Sequence, residues 1–144
     1  MHLNEIYLEL HVPDFEVTKE FYGKLGFSVV WEHKPDQKKG YLVIRRKDSI
    51  LCFWPGNEKV YEQNYFRQFP RNTVRGYGVE IVIPIEDIEI FYKQVKNFAN
   101  VADTLEIQPW GLKDFRIIDP FGYYLRFTEP HDVLNQGFSI NEIA

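Results

Sequence analysis

An internal repeat constrains the fold of this chain more than any other feature of its 144 residues. An alternating apolar segment followed by an acidic residue occurs twice, and a later apolar pair also recurs, at spacings close to half the chain length. The matching positions are Leu8, Leu10, Val12 and Asp14 with Ile81, Ile83, Ile85 and Asp87, and Leu51 and Phe53 with Leu125 and Phe127. The repeat predicts two βαβββ halves, neither large enough to close a core alone. We therefore expect an α+β fold in which the two repeats form a curved mixed sheet around a cleft.

Hydrophobic periodicity places the same elements in both halves. The predicted strands are residues 6–12, 27–31, 41–45, 49–54, 79–85, 101–107, 115–118 and 123–127. Asp14 and Asp87 precede the two predicted helices, and aspartate is a favourable N-cap. The first helix is expected to bury Val17 and Phe21 on one side and to end at Gly26.

We interpret residues 1–144 as a single domain. Its parts are two repeats at about 1–56 and 78–130, a linker at 57–77 and a short C-terminal tail at 131–144. The linker has no clear period but is rich in aromatic residues, and we expect a short helix over residues 60–69.

The second half ends in a predicted hairpin. Residues 119–122, Asp-Pro-Phe-Gly, have the composition of a tight turn. The side chain of Asp119 can hydrogen-bond to the nearby backbone, and glycine suits the end of the turn. In the strand that follows, Leu125 and Phe127 are expected in the core. Tyr124 and Arg126 then lie on the opposite face, towards a cavity or solvent.

Composition excludes several classes of protein. The formal net charge of −4 argues against a nucleic-acid partner. The single cysteine, Cys52, excludes an intramolecular disulfide, and we expect it to be buried.

No apolar run has the length of a membrane helix and the N-terminus does not resemble a signal peptide, so we expect a cytoplasmic protein without a membrane partner. Aromatic residues make up 17% of the chain, a high share that suits an aromatic-lined pocket.

Four short segments resemble a known superfamily. They are residues 21–27, 78–81, 109–111 and 119–122. With the repeat, they resemble the glyoxalase, bleomycin-resistance and extradiol-dioxygenase superfamily, which has the vicinal oxygen chelate fold, and most closely its bleomycin-resistance-like branch. The resemblance covers nearly the whole chain. It implies a homodimer with ligand grooves between subunits, a small-molecule ligand such as a bleomycin-like or other planar drug, and a role in antibiotic resistance.

The resemblance also locates the positions that hold a metal in the metal-using members of the superfamily. Here they fall on Tyr7, Cys52, Glu80 and Arg126. Only Glu80 is an ordinary ligand for a hard divalent metal, and the fixed positive charge of Arg126 opposes metal binding. We therefore expect no metal, no cofactor and no catalytic residue, and we lean against an enzyme.

Eight residues are candidates for ligand binding. They are Tyr7, Glu9, His11, Trp54, Glu80, Trp110, Tyr124 and Arg126. Glu80 and Arg126 are expected either to form a structural ion pair or to bind a polar ligand, with Arg126 suited to a carboxylate or phosphate. His11 is either a solvated or merely hydrogen-bonded residue or, next to Glu9, an acid–base group. Trp110 either covers the core or stacks on a planar ligand.

Two functional hypotheses follow. The first is a metal-free binding protein of the bleomycin-resistance type, which sequesters an aromatic or polar ligand in a cleft at a dimer interface. The alternative is an enzyme of the same superfamily, a lyase or dioxygenase-like protein with a non-standard or absent metal site. A binding or regulatory module unrelated to drugs is a third possibility.

Overall fold

The computed structural model describes residues 6–37, 40–55 and 64–134. The chain divides into two compact units, Met1–Thr73 and Val74–Ala144. We call them unit 1 and unit 2. The assignment of residues 1–144 to one domain stays a prediction.

Unit 1 contains one helix and a four-stranded mixed sheet. Its elements are β1 (Glu9–Val12), α1 (Phe15–Lys24), β2 (Ser28–His33), β3 (Tyr41–Arg46) and β4 (Ser49–Pro55), with 3₁₀ turns at Pro35–Gln37 and Asn64–Phe66. The strand order is β1-β4-β3-β2. The β1 and β4 strands are parallel, whereas the other neighbours are antiparallel.

Unit 2 repeats this arrangement. Its elements are β5 (Glu80–Pro84), α2 (Ile88–Val95), β6 (Asn100–Ile107), β7 (Lys113–Ile118) and β8 (Tyr124–Thr128). The strand order is β5-β8-β7-β6, again with one parallel pair, β5 and β8. The predicted α+β class and the repeated βαβββ element order are therefore confirmed, as two four-stranded mixed sheets with two helices among the described residues.

The core of each unit lies between its helix and one face of its sheet. In unit 1 the ring of Tyr22 from α1 lies 5.4 Å from that of Phe53, and both residues are fully buried. In unit 2 the ring of Phe91 from α2 lies 5.0 Å from that of Phe127. Leu51, Phe53, Leu125 and Phe127 are all buried, as the sequence predicted. The apolar period thus identified the face that packs on the helix.

The two helix starts differ from each other. Asp14 has extended backbone angles, and its Oδ1 accepts from the backbone N–H groups of Glu16 and Val17, so the predicted cap is confirmed. Asp87 is left-handed, with φ 54°, and its side chain makes no capping bond. The expected cap at Asp87 is therefore wrong, because an N-cap side chain reaches the first turn from extended backbone.

The side of α1 that is buried also differs from the prediction. Val17 is 38% exposed, whereas Phe15, Thr18 and Tyr22 are buried. Those three positions follow the three- and four-residue spacing of one helix face, which begins at Phe15. Phe21 is buried as expected.

The closing hairpin has the predicted turn. Asp119 Oδ1 accepts 2.8 Å hydrogen bonds from the backbone N–H groups of Phe121 and Tyr123. Gly122 has φ 103°, and a Cβ there would lie 3.0 Å from the backbone oxygen of Arg75. Glycine is thus required both by the backbone conformation and by the close approach of a neighbouring segment.

Two expected segments lie partly outside the described residues. The helix expected over residues 60–69 begins among residues that the structure does not describe, and its described part contains only the 3₁₀ turn Asn64–Phe66. Of the predicted tail, residues 135–144 lie outside the described residues. Neither helix in the described ranges is long and apolar enough to cross a membrane.

Candidate functional site

Each sheet has a second face, opposite its helix, and we call it the polar face. In unit 1 the register pairs Glu9 with Cys52 and His11 with Trp54, which places these four side chains on one face. In unit 2 the polar face includes Glu80, Tyr124 and Arg126 from β5 and β8. Side chains that alternate with the core residues therefore form the candidate sites.

The polar face of unit 1 contains an aromatic cluster formed by His11, Trp54 and Phe66. The ring centroids of His11 and Trp54 are 3.5 Å apart, and those of His11 and Phe66 are 4.8 Å apart, both with edge-on geometry. Phe66 belongs to the 3₁₀ turn Asn64–Phe66 and was not a predicted site residue. Because His11 lies between two aromatic side chains, packing accounts for its position better than the solvated role does.

Beside this cluster, Tyr41 connects Glu9 to Cys52. Burial raises the pKa of Tyr41 well above its usual value of 10.0, and its side-chain hydrogen bonds with Cys52 and Glu9 raise it further. Tyr41 is therefore a neutral phenol at physiological pH, and its hydroxyl donates to the Glu9 carboxylate. Cys52 is 6% exposed, which confirms the expectation that it is buried.

Further aromatic side chains lie towards the edge of the same sheet, on β2 and β3. The rings of Trp31 and His33 are parallel, with centroids 5.6 Å apart, and Trp31 lies 6.2 Å from Tyr41. Trp31 is 52% exposed.

The polar face of unit 2 is charged instead of aromatic. Glu80, Arg116, Asp114 and Arg126 form a closed ring of alternating charges, which we call the charge ring. Glu80 Oε1 accepts from Arg116 Nε, and Glu80 Oε2 lies 3.8 Å from Arg126 Nε. Asp114 completes the ring, with Oδ1 3.9 Å from Arg116 Nη1 and Oδ2 3.8 Å from Arg126 Nη1. Asp103 adds an outer contact to Arg116 Nη1 at 2.9 Å.

The charge ring follows from the strand register. Arg116 of β7 and Arg126 of β8 are directly opposite one another, which is unfavourable for two like charges. The carboxylates of Glu80 and Asp114 offset this repulsion. Burial lowers the pKa of Arg116, but its hydrogen bond with Glu80 and the charges of Glu80 and Asp114 outweigh burial, and the net pKa is raised. Arg116 is thus a permanent cation.

The predicted pairing of Glu80 with Arg126 is present, but only as the longer of two contacts. Glu80 hydrogen-bonds to Arg116, which sequence reasoning did not identify. Asp114 was missed as well, although it is fully buried. The signal was available, because Asp114 and Arg116 alternate with Phe115 and Ile117 along β7.

The other candidates lie in different places. Tyr7 precedes β1, which starts at Glu9 rather than at residue 6 as expected, and it is 61% exposed. Trp110 is half-buried in the turn between β6 and β7. Tyr124, 37% exposed, begins β8, at the opposite end of that strand from this turn. The structure therefore groups Glu9, His11 and Trp54 in unit 1, and Glu80, Tyr124 and Arg126 in unit 2.

The four positions that correspond to metal ligands do not fit a metal. Tyr7 lies outside the sheet. Cys52 is buried and hydrogen-bonded to Tyr41, and Glu80 is hydrogen-bonded to Arg116. Arg126 adds a positive charge. Across residues 6–37, 40–55 and 64–134 there is no group of three His, Cys, Asp or Glu side chains that could hold a metal ion.

One cavity of about 290 Å³ lies in unit 2 at the start of α2. Its lining residues are Ile85, Asp87, Ile88, Glu89, Ile90, Glu129 and Pro130. None of the eight candidates is among them, so this cavity is separate from the polar face.

Comparison with known proteins identifies the family. The family model for the Glyoxalase/Bleomycin resistance protein/Dioxygenase superfamily matches residues 4–127. This match extends over most of the chain, and the protein therefore belongs to that superfamily.

Individual relatives are more distant. A bleomycin resistance protein from Klebsiella pneumoniae is 25% identical over 127 residues, which cover 81% of this chain and 84% of that protein. The crystal structure of a bleomycin-binding protein complexed with bleomycin has a TM-score of 0.60 and 22% identity, and the match covers 90% of this chain and 100% of that chain. A bleomycin resistance determinant encoded on the transposon Tn5 has a TM-score of 0.63 and 23% identity, with the same coverage. These similarities confirm the predicted fold and support the predicted bleomycin-resistance-like branch.

Proposed function

We propose that this protein is a metal-free binding protein of the bleomycin-resistance type, which sequesters an aromatic or polar small molecule. The observation that carries the proposal is the aromatic cluster of His11, Trp54 and Phe66 on the polar face of unit 1. Aromatic side chains in this number offer a planar ligand large apolar contact areas at little cost in side-chain entropy. The resemblance to bleomycin resistance proteins favours a bleomycin-like or other planar drug as the ligand, and antibiotic resistance as the role.

The proposed binding residues are the eight candidates from the sequence. Trp54 and Trp110 are half-buried, which supports a role for both in ligand binding, since such side chains retain surface that a ligand can cover. Glu9 is exposed beside the aromatic cluster and supplies a carboxylate for a polar or cationic group of the ligand. We further propose that two copies pair and that the ligand groove lies at their interface.

The chemistry of the family's metal positions supports a function that needs no metal. Cys52 and Glu80 are already hydrogen-bonded inside their own units, and Arg126 lies in ion-pair contact with Glu80 and Asp114. A lyase or dioxygenase-like activity would require a metal held in another way. Metal analysis of the purified protein distinguishes the two functions, because a stoichiometric divalent ion would favour the enzyme.

Tryptophan fluorescence tests the binding function. The chain has three tryptophans, and two of them, Trp54 and Trp110, belong to the proposed set. We expect saturable quenching on titration with bleomycin, and an affinity about tenfold weaker in Trp54→Leu and Trp110→Leu, because each variant loses one stacking surface. Trp31→Leu is the matched control and should bind as the wild type does.

Three outcomes would each contradict a different part of this proposal. Absence of quenching by bleomycin and by other planar drugs, in a protein shown to be folded, would refute sequestration of such drugs. A loss confined to Trp31→Leu would refute the proposed residue set. A monomeric mass in solution, with and without ligand, would refute the interfacial groove.

A further inference from the structure

The two arginines of the charge ring differ in how their hydrogen-bond donors are used. Arg116 donates to Glu80 and Asp103. Arg126 has only two ion-pair contacts, both 3.8 Å long, and makes no hydrogen bond within the part of the chain that the structure describes. Its side chain is 23% exposed. Arg126 therefore retains all of its donors for another partner, whereas Arg116 already uses donors on Nε and Nη1.

Asp114 lies next to Arg126 and has an acceptor atom without a hydrogen-bond donor. Its side chain is 1% exposed, and Oδ1 accepts a 2.8 Å hydrogen bond from Gln108 Nε2. Oδ2 is buried and accepts no hydrogen bond from any described residue. Arg126 Nε is likewise buried without an acceptor among residues 6–37, 40–55 and 64–134. A buried donor and a buried acceptor are thus both unsatisfied within one cluster, which native proteins normally avoid.

The charges of the charge ring determine which kind of ligand group could bond to both Arg126 and Asp114. An anion that accepts from Arg126 would also approach the carboxylates of Glu80 and Asp114. A cation that donates to Asp114 would also approach two guanidinium groups. A neutral group with an acceptor next to a donor avoids both repulsions.

We propose that Arg126 and Asp114 form a subsite for a neutral carboxamide-type group, meaning a primary amide, a lactam or a urea. The ligand carbonyl accepts from the Arg126 guanidinium, and the adjacent N–H donates to Asp114 Oδ2. The proposal rests on the ligand-binding function proposed above and specifies one part of the ligand.

Binding requires Arg126 to move, because Asp114 Oδ2 and Arg126 Nε are both shielded from solvent in this conformation. No hydrogen bond from a described residue resists that movement, and Arg126 borders solvent. The neighbouring residue in register on β5, Val82, is 42% exposed, so the ligand has an apolar surface beside the subsite. Arg116 stays in place through its hydrogen bonds to Glu80 and Asp103.

The test uses four aromatic probes that share one ring: benzamide, N,N-dimethylbenzamide, benzoate and benzamidine. Binding to the full chain is followed by the backbone amide NMR signals of β7 and β8, which every variant retains, and in the wild type also by the Arg126 side-chain Nε–H signal. We expect benzamide to bind most tightly. N,N-dimethylbenzamide, which keeps the carbonyl but has no N–H donor, should bind about tenfold more weakly, as expected for the loss of one hydrogen bond to a charged group.

A protein variant provides the second arm. Arg126→Lys keeps the charge but removes the forked donors, and benzamide should bind about tenfold more weakly to it. Arg45→Lys is the matched control, because Arg45 lies in unit 1 with its side chain 56% exposed and its contact to Asp48 at 3.8 Å. This variant should bind benzamide as the wild type does.

Other outcomes overturn the proposal. Tightest binding of benzoate would make Arg126 an anion site, and tightest binding of benzamidine would make Asp114 a cation site. No response to benzamide would also refute it. If bleomycin still quenches tryptophan fluorescence in that case, the binding function stands and only the carboxamide subsite is wrong.

Discussion

Replacing Arg116 with glutamine should destabilise the protein far more than the same change at Arg126. Arg116→Gln removes a side chain that hydrogen-bonds two carboxylates, that of Glu80 in the charge ring and that of Asp103 outside it. It also leaves the fully buried Asp114 with one positive neighbour fewer. Among the residues that the structure describes, Arg126→Gln removes two ion-pair contacts of 3.8 Å and no hydrogen bond.

The expected magnitude follows from the burial of each partner. The Asp103 side chain is 48% exposed, so its ion pair contributes about 0.5 kcal/mol. The Glu80 side chain is 32% exposed and hydrogen-bonded to a charged group, which contributes about 1.5 kcal/mol. Reduced compensation of the buried Asp114 adds about 1 kcal/mol. Arg116→Gln should therefore lower the free energy of unfolding by about 3 kcal/mol, and Arg126→Gln by about 1 kcal/mol or less.

Urea unfolding followed by far-ultraviolet circular dichroism measures both values. For a chain of this length, a loss of about 3 kcal/mol corresponds to a melting temperature about 10 °C lower. Arg45→Gln serves as the control on an exposed arginine and should lower the free energy of unfolding by about 1 kcal/mol or less, because its hydrogen bond to the Lys47 backbone oxygen and its ion pair with Asp48 are both exposed. Asp103→Asn should lower the free energy of unfolding only by the contribution of its ion pair with Arg116, about 0.5 kcal/mol.

Equal destabilisation by Arg116→Gln and Arg126→Gln would contradict this reasoning, since it would mean that hydrogen bonding does not distinguish the two arginines. So would a loss below about 1 kcal/mol for Arg116→Gln, which is the range of exposed ion pairs. Either result would also remove the basis for assigning Arg126 to ligand binding.

Two further predictions concern the hairpin turn and Tyr41. Asp119→Ala should lower the free energy of unfolding by about 2 to 3 kcal/mol in urea unfolding, because two backbone N–H groups lose their acceptor. Asp119→Asn, which keeps an acceptor oxygen, should cost less. The raised pKa of Tyr41 implies stability that is fully present below about pH 10 and declines by about 1.4 kcal/mol per pH unit above it, since the unfolded chain loses the proton first. Tyr41→Phe should make this alkaline decline shallower, as measured by unfolding at a series of pH values.

Each of these has a result that would count against it. Equal losses for Asp119→Ala and Asp119→Asn would show that the turn does not depend on the acceptor oxygen. Identical alkaline profiles for the wild type and Tyr41→Phe would show that another group titrates there. Tyr124→Phe is a suitable control for Tyr41→Phe, because Tyr124 is 37% exposed.

Local chemistry made much of the fold predictable. The turn at residues 119–122 depends on aspartate and glycine side-chain properties that act within four residues of chain, and the structure has the bonds expected of it. The same holds for the Asp14 cap. Asp87 has the same residue type before the same kind of helix but a left-handed backbone, so tertiary context overrode the local preference there.

The candidate site was less predictable for a physical reason. Alternation along a strand tells which side chains share a face, but not which strands are neighbours. Arg116 meets Glu80 only because β7 and β5 both flank β8 in the sheet. Tyr41 meets Glu9 only because β3 and β1 both flank β4. Such contacts join residues distant in sequence, and period alone does not locate them.

The sequence by itself determined the repeated βαβββ order, the core face of each strand and the absence of ordinary ligands at most family metal positions, because these depend on residue type and spacing. Only the tertiary structure decided that the equivalent polar faces differ, with an aromatic cluster in unit 1 and a charge ring in unit 2. Strand order and register bring the side chains of each face together. In unit 2 they also decide which arginine is bound internally and which retains its donors, since hydrogen bonding depends on distances of a few tenths of an ångström that no sequence pattern specifies.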